Sequence, residues 1–186
     1  MQLLEVVLSG ADEALLSGQA DLAIAAFVPP GFLGETLIEI EFVAVATATH
    51  PLHALKRQLA LKDLARERQF VVRDSGITMK RDTGWLGAEP RWTVSQIATS
   101  VALVRGGMGF AWLPRHMVAP YLESGELKAL PLQRGGTRKA ALHLIVAKPD
   151  EAGPAACELA RILRDAVNAP AAHSRSRRAN PRSRKA

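Results

Sequence analysis

Short apolar segments alternate with stretches of helical periodicity along most of the chain. The apolar segments predict strands at residues 3–8, 21–27, 36–47, 69–73, 92–94, 109–114, 127–132 and 142–147. The periodic segments predict helices at residues 12–17, 61–66, 95–105, 115–123 and from Pro154 onwards. Such alternation is typical of the α/β class. With 186 residues, 48% of them hydrophobic, the chain has the length of one ordinary domain or of two small lobes that share a core.

The first predicted unit is a strand, a short helix and a second strand within residues 3–27. A crossover of this kind predicts parallel pairing of its two strands. Ser9 is expected to cap the helix, and Gly18 stands where a glycine would end it. Residues 36–47 first alternate between apolar and polar and then become continuously apolar, which predicts an extended segment that enters the core.

The positive charge of the chain is concentrated at its carboxyl end. The formal charge is +6, from 24 Lys and Arg against 18 Asp and Glu. Residues 173–186 hold six of these cations and no acid, so the other 18 bases are matched by 18 acids in residues 1–172. Residues 169–186 have little to bury and are predicted to form a disordered basic tail. Binding of nucleic acid by this tail, through neutralisation of phosphates, stays an alternative function.

The composition excludes several classes of protein. Cys157 is the single cysteine and has no partner for a disulfide bond within the chain. No apolar run reaches the ~18 residues that are needed to span a bilayer. Residues 1–18 carry acids and lack the basic start of a signal peptide. We therefore expect a soluble cytoplasmic protein that has no contact with membranes.

Residues suited to catalysis or metal binding are sparse. His50 and His53 have a spacing that metal ligands use, but no Cys, Asp or Glu joins them locally, so we expect a surface loop and no metal site. Cys157 lies among alanine and leucine residues, which predicts a small buried hydrophobe rather than a nucleophile. The glycines of residues 106–109 follow a helix and precede a strand, which is the reverse of a phosphate-binding loop. We therefore predict that the chain is not an enzyme and holds no cofactor.

A small polar residue stands between a strand end and a predicted helix start at residues 7–10, 72–76 and 93–96. Strand carboxyl ends and helix amino ends gather at one edge of a parallel α/β sheet, where free backbone N–H groups attract anions. Serine hydroxyls at these places add hydrogen-bond donors. The pattern favours a small-molecule cleft, with the alternative that each serine caps its own helix.

Residues 94–118, VSQIATSVALVRGGMGFAWLPRHMV, resemble the most recognisable segment of LysR-type transcriptional regulators. In that family a helix that begins at serine is followed by Gly-x-Gly, an apolar strand and Leu-Pro. The resemblance continues in the family's order through residues 15–25 (LLSGQADLAIA), 49–52 (THPL), 61–71 (LKDLARERQFV) and 123–132 (ESGELKALPL). It covers nearly all of residues 3–167.

The resemblance implies an effector-binding domain with two α/β lobes, like those of type 2 periplasmic binding proteins. Lobe I would comprise residues 1–53 with 142–168, and lobe II would comprise residues 54–141. A small effector, with carboxylates and other anions as a common class, would lie between the lobes and control the geometry of a DNA-bound homo-oligomer. The resemblance places the effector-binding candidates at Ser9, Gly10, Phe27, Ser75, Gly76, Ile77, Ser95, Gln96 and Phe110.

The chain departs from the family pattern at its amino end. The helix-turn-helix that binds DNA in the family has no counterpart here, so contact with DNA would need a part that this chain lacks. The first strand and helix of lobe I are also expected to be missing, which predicts a truncated domain of marginal stability that self-associates. The alternatives are a free-standing small-molecule binding protein and a non-functional fragment of a regulator.

Overall fold

The structure is a computed structural model that describes residues 1–169. Its strands are β1 (Leu22–Ala25), β2 (Gly34–Thr47), β3 (Gln69–Val72), β4 (Arg91–Val94), β5 (Phe110–Pro114), β6 (Leu127–Ala129) and β7 (Thr137–Val146). Its α-helices are α1 (Ser9–Leu16), α2 (Pro51–Ala54), α3 (Leu61–Leu64), α4 (Ile97–Arg105), α5 (Arg115–Glu123) and α6 (Pro154–Asn168), with a 3-10 turn at Pro149–Glu151. From residue 170 onwards, the predicted basic tail lies outside the described residues.

The seven strands form one mixed sheet in the order β1-β7-β2-β5-β3-β4, and β6 also pairs with β2. Strand β3 runs parallel to both β4 and β5, whereas the pairs that involve β2 or β7 are antiparallel. In the β3–β4 pair, Val72 lies opposite Val94. The loop that follows β3 and the segment that leads into α4 therefore start side by side at one edge of the sheet.

Strand β2 changes character along its length. Its first half pairs with β7 and is largely exposed, whereas residues 43–46 are fully buried. Val43 and Val45 pack on one face against residues of α4 and α5, and Ala44 and Ala46 pack on the other face against residues of α2 and α3. Because helices cover both faces, this half of the strand is continuously apolar. The prediction of an extended segment that enters the core is confirmed.

Strand β7 is longer than its apolar pattern indicates, since it begins at Thr137 rather than at residue 142. Its polar first half pairs with the alternating half of β2, where the Lys139 ammonium lies 2.7 Å from the Glu39 carboxylate. Cross-strand pairs of opposite charge stabilise such a ladder even where one strand, here the first half of β7, has no apolar periodicity.

The amino-terminal unit differs from the prediction. Residues 3–8 form no strand, α1 begins at Ser9, and β1 is antiparallel to β7, so the predicted parallel crossover is wrong. The backbone of Val7 bonds to Ser75 instead of to a strand. Residues 74–76 also begin no helix, because the Asp74 carboxylate accepts from the N–H of Gly76 and competes with helical bonding.

The carboxyl ends of three helices follow the sequence signals. Gly18, Gly107 and Gly125 end α1, α4 and α5 with φ of 71°, 73° and 77°, a backbone region that glycine enters without a steric penalty. Pro154 is the first residue of α6, as predicted. The expected cap at Ser9 is wrong, because Leu8 holds the cap position of α1 and the Ser9 hydroxyl binds Asp74 instead. Within residues 1–169, no helix has both the length and the apolar character needed to cross a membrane. The division into two lobes stays a prediction.

Candidate functional site

The start of α1 contacts the loop that follows β3. The Ser75 hydroxyl accepts a hydrogen bond from the N–H of Val7 at 2.8 Å and donates one to its carbonyl at 3.1 Å. Glycine is needed on both sides of this contact. A Cβ at Gly10 would overlap the Ser75 hydroxyl, and a Cβ at Gly76 would overlap the Ser9 hydroxyl. Two Ser-Gly pairs that are distant in sequence therefore pack against each other.

The Asp74 carboxylate is the centre of the hydrogen bonds between these segments. It accepts from the N–H of Ser9 at 3.0 Å and from the Ser9 hydroxyl at 2.5 Å. It also accepts from the N–H groups of Gly76 at 2.8 Å and Arg81 at 2.7 Å. Burial alone would raise the pKa of this carboxyl, but the hydrogen bonds outweigh burial and hold the pKa below its ordinary value. Asp74 is therefore ionised at neutral pH and fixes the loop to α1.

Glu13, one turn into α1, binds the next part of the loop. Its carboxylate accepts from the N–H of Ile77 at 2.8 Å, and from the N–H and hydroxyl of Thr78 at 2.7 Å and 2.6 Å. These hydrogen bonds lower the pKa of Glu13 to about 2. The Thr78 hydroxyl contributes most to this shift, followed by the backbone donors. Consecutive N–H groups that converge on one carboxylate form an anion receptor.

Arg81 completes the contact between the loop and α1. Its Nη1 lies 2.7 Å from Oδ2 of Asp12, a residue of α1 that is only 1% exposed. Its guanidinium also lies over the ring of Phe27, 4.3 Å from the ring centroid. A buried carboxylate is strongly destabilising without a counter-charge, so Arg81 is needed to hold Asp12 in place.

An open cavity of about 520 Å³ is lined by Val72 at the end of β3, by loop residues 73–77 and 80–82 and by Arg91 of β4. Its charged lining residues are the cations Arg73, Lys80, Arg81 and Arg91 and the acids Asp74 and Asp82. Asp82 binds Arg91 with both carboxylate oxygens, at 2.6 Å and 2.7 Å. In the described part of the chain, Arg73 and Lys80 have no ion-pair partner. The lining is therefore positive and favours an anion.

The predicted binding residues fall into four groups. Ser9, Gly10, Ser75, Gly76 and Ile77 come together where α1 meets the loop, and the last three also line the cavity. Phe27 reaches the loop through Arg81.

Ser95 and Gln96 are exposed at the start of α4, and neither side chain caps that helix. They follow Val94, whose carbonyl accepts from the N–H of Arg73 at 2.9 Å, so they lie at the same edge of the sheet as the loop. Phe110 lies apart from the other candidates. It is fully buried between the sheet and the helices α2 and α3, because β5 is an interior strand.

Two other residues differ from their predicted surroundings. His50 is only 6% exposed rather than in a surface loop, and its Nδ1 accepts from the N–H of Leu52 at the start of α2. Burial lowers the pKa of His50, with the carboxylate of Glu67 opposing. Cys157 is exposed rather than buried, whereas Ala160 on the same helix is buried. Within residues 1–169, no three His, Cys, Asp or Glu side chains are grouped as metal ligands.

The sequence profile described as "LysR substrate binding domain" matches residues 1–168. The chain belongs to this family. The resemblance to LysR-type regulators is therefore confirmed. This LysR-family domain is 29% identical over 126 residues to the uncharacterised HTH-type transcriptional regulator YeeY of Escherichia coli (strain K12). That alignment covers 65% of this chain and 41% of YeeY, so the chain spans about two fifths of the length of this curated relative.

Solved LysR-family structures share the fold of this domain. Full-length LysG from Corynebacterium glutamicum with bound effector Arg matches with a TM-score of 0.63 at 19% identity, over 89% of this chain and 57% of LysG. The regulatory domain of CcmR from Synechocystis PCC6803 in complex with 2-PG matches with a TM-score of 0.63 at 14% identity, over 87% of this chain and 80% of that one. The predicted α/β fold of the type 2 periplasmic-binding-protein kind is confirmed.

The LysR-family domain is thus the effector-binding regulatory domain of a regulator, in a family of transcriptional regulators rather than enzymes. The prediction of a non-enzymatic binding module is confirmed. Sequence reasoning missed Asp12, Glu13, Asp74 and Arg81, which hold α1 and the loop together. Asp74 gave a signal, since an acid beside Ser-Gly after a strand is suited to bind nearby backbone N–H groups.

Proposed function

We propose that this domain binds a small anionic effector, such as a carboxylate, in the cavity beside loop residues 73–82. The observation that carries the proposal is the positive lining, in which Arg73 and Lys80 are not ion-paired to another described residue. Arg and Lys side chains form charge-assisted hydrogen bonds with carboxylates, which are about twice as strong as neutral ones. The amino end of α4 at the same sheet edge adds a positive helix dipole.

Two relatives support a small effector at this fold. LysG was solved with bound effector Arg, and the CcmR regulatory domain was solved in complex with 2-PG. We transfer the effector class only, because identities of 19% and 14% support the fold and not the binding residues.

Binding at the cavity would change the contact between the loop and α1. The loop is tied to α1 through Asp74, Glu13 and Arg81, so an anion that draws Arg81 or Lys80 towards itself also shifts α1 relative to β3. We infer that this shift alters the geometry of a homo-oligomer of the whole regulator. We further infer that the regulator acts in the cytoplasm and contacts DNA through another part, as the name of the HTH-type relative YeeY indicates.

A thermal-shift screen with small mono- and dicarboxylates tests the proposal. A ligand that binds only the folded domain raises its melting temperature as its concentration exceeds the Kd. We expect hits whose affinity falls about tenfold in Lys80→Ala and in Arg73→Ala, the effect of losing one charge-assisted hydrogen bond. Lys148→Ala is the matched control, since Lys148 is an exposed lysine paired with Glu151. Absence of any hit, or equal effects of Lys80→Ala and Lys148→Ala, would refute the anionic effector.

A further inference from the structure

The Glu13 carboxylate occupies a receptor made only of neutral donors. The donors are three consecutive backbone N–H groups, of Ile77, Thr78 and Met79, and the Thr78 hydroxyl. Asp63, whose pKa is also lowered to about 2, is held differently, because Arg57 contributes two of its hydrogen bonds. A receptor of backbone donors recognises the carboxylate group itself and not the residue that carries it.

The receptor and the cavity share one residue. Ile77 donates its N–H to Glu13 and also lines the cavity, and Lys80 lies three residues further along the same loop. An anion in the cavity is therefore close to the donors that Glu13 now uses. Glu13 itself belongs to α1 and does not line the cavity.

We propose that Glu13 is a built-in competitor of the effector, and that a carboxylate of the effector replaces Glu13 at the Ile77 and Thr78 donors. This inference rests on the proposed function. It adds that the recognised group of the effector is a carboxylate and that this carboxylate displaces Glu13. The exchange removes the contacts of Glu13 with the loop and leaves those of Asp74 and Arg81 in place. Loop and helix then remain attached at one end and separate at the other.

Competition of this kind has a thermodynamic signature. An external carboxylate can bind only while Glu13 has left the receptor. Its apparent affinity is therefore the intrinsic affinity multiplied by the fraction of time that the receptor is vacant. Removal of the Glu13 carboxylate therefore strengthens binding of a small carboxylate, which is the opposite of what removal of a ligand-binding residue does. Glu13→Gln keeps the size of the side chain and loses the charge, so it gives an intermediate effect.

The test is an NMR titration of the 15N-labelled full chain with sodium acetate, which replaces sodium chloride at constant ionic strength. The amide signals of Ile77 and Thr78 are followed in the original chain, in Glu13→Ala and in Glu13→Gln. Glu39→Ala is the control, since it removes a carboxylate that pairs with Lys139 on an exposed strand. We expect saturable shifts of both amides in Glu13→Ala, with acetate binding about tenfold tighter than in the original chain.

Each outcome decides the inference. Tighter acetate binding in Glu13→Ala than in Glu39→Ala, with Glu13→Gln between Glu13→Ala and the original chain, supports the competition. Equal acetate affinity in all four proteins, or amides that do not move in Glu13→Ala, overturns it. If Glu13→Ala does not fold, the acetate affinity of Glu13→Gln relative to the original chain decides alone, and tighter binding supports the competition. The proposed function fails separately, by the absence of carboxylate hits that depend on Lys80.

Discussion

Replacement of Asp74 by alanine removes the carboxylate that joins α1 to the loop after β3. Four donors lose their acceptor, namely the N–H and hydroxyl of Ser9 and the N–H groups of Gly76 and Arg81. An unsatisfied buried donor costs roughly 1–3 kcal/mol. The Ser9 hydroxyl can turn to another acceptor and the Arg81 N–H is only partly buried, so water recovers part of the loss. We expect Asp74→Ala to lower the free energy of unfolding by about 3 kcal/mol.

Urea denaturation followed by tryptophan fluorescence measures this change, with Asp82→Ala as the control. Asp82 lies on the same loop and also binds two donors, but its side chain is 59% exposed. A pair of this kind contributes roughly 0–1 kcal/mol. Asp74→Asn keeps the size of the side chain and one acceptor oxygen. Its loss of unfolding free energy should therefore fall between those of Asp74→Ala and Asp82→Ala.

A double-mutant cycle with Ser9→Ala isolates the contact between the segments. Ser9→Ala removes the hydrogen bond from the hydroxyl to Asp74 and keeps the one from the backbone N–H, so the two losses should be non-additive by about 1 kcal/mol, the worth of the hydroxyl bond. Asp74 does not join the two segments as described if Asp74→Ala costs no more than Asp82→Ala, or if the Ser9→Ala and Asp74→Ala losses simply add.

Three further predictions concern single residues. The carboxyl carbon of Glu13 should titrate near pH 2 by NMR. Because this pKa lies below the ordinary 4.5, the stability that the Glu13 carboxylate contributes to the fold is present above about pH 4.5 and is lost as the pH falls towards 2. A titration midpoint near pH 4.5 would contradict the hydrogen bonds of Glu13. Phe110→Ala should cost about 3–5 kcal/mol in urea unfolding because Phe110 is fully buried, and a loss below about 1 kcal/mol would place it outside the core. Cys157 should react with a thiol reagent in the folded protein as fast as in the unfolded chain, whereas protection would mean that α6 is turned differently.

The sequence predicted those parts of the fold in which the residues of a segment directly reflect the surroundings of that segment. The second half of β2 reads as continuously apolar because helices cover both faces, and Gly107 ends α4 because the backbone there has positive φ. Residues 3–8 were apolar enough to predict a strand. Their structure is instead decided by Ser75, which is 68 residues from Val7 and takes its backbone hydrogen bonds.

The candidate site was predictable only in part, for the same reason. Ser9 and Ser75 each stand in a Ser-Gly pair at a place where a small polar residue is informative, and the structure brings them together. Asp12 and Glu13 carried no such signal, because acids near the amino end of a helix are ordinary partners of the helix dipole. Their actual partners, Arg81 and the donors around Ile77, are more than 60 residues away.

We propose above all that a small anion binds in the cavity beside the loop after β3. An NMR titration of the 15N-labelled chain with the strongest carboxylate from the thermal-shift screen locates the bound ligand directly. We expect saturable shifts centred on residues 72–82 and Arg91, with smaller shifts in α1 as the loop moves. Shifts centred on the separate cavity lined by His50 and Met108, or no saturable shifts at all, would contradict it.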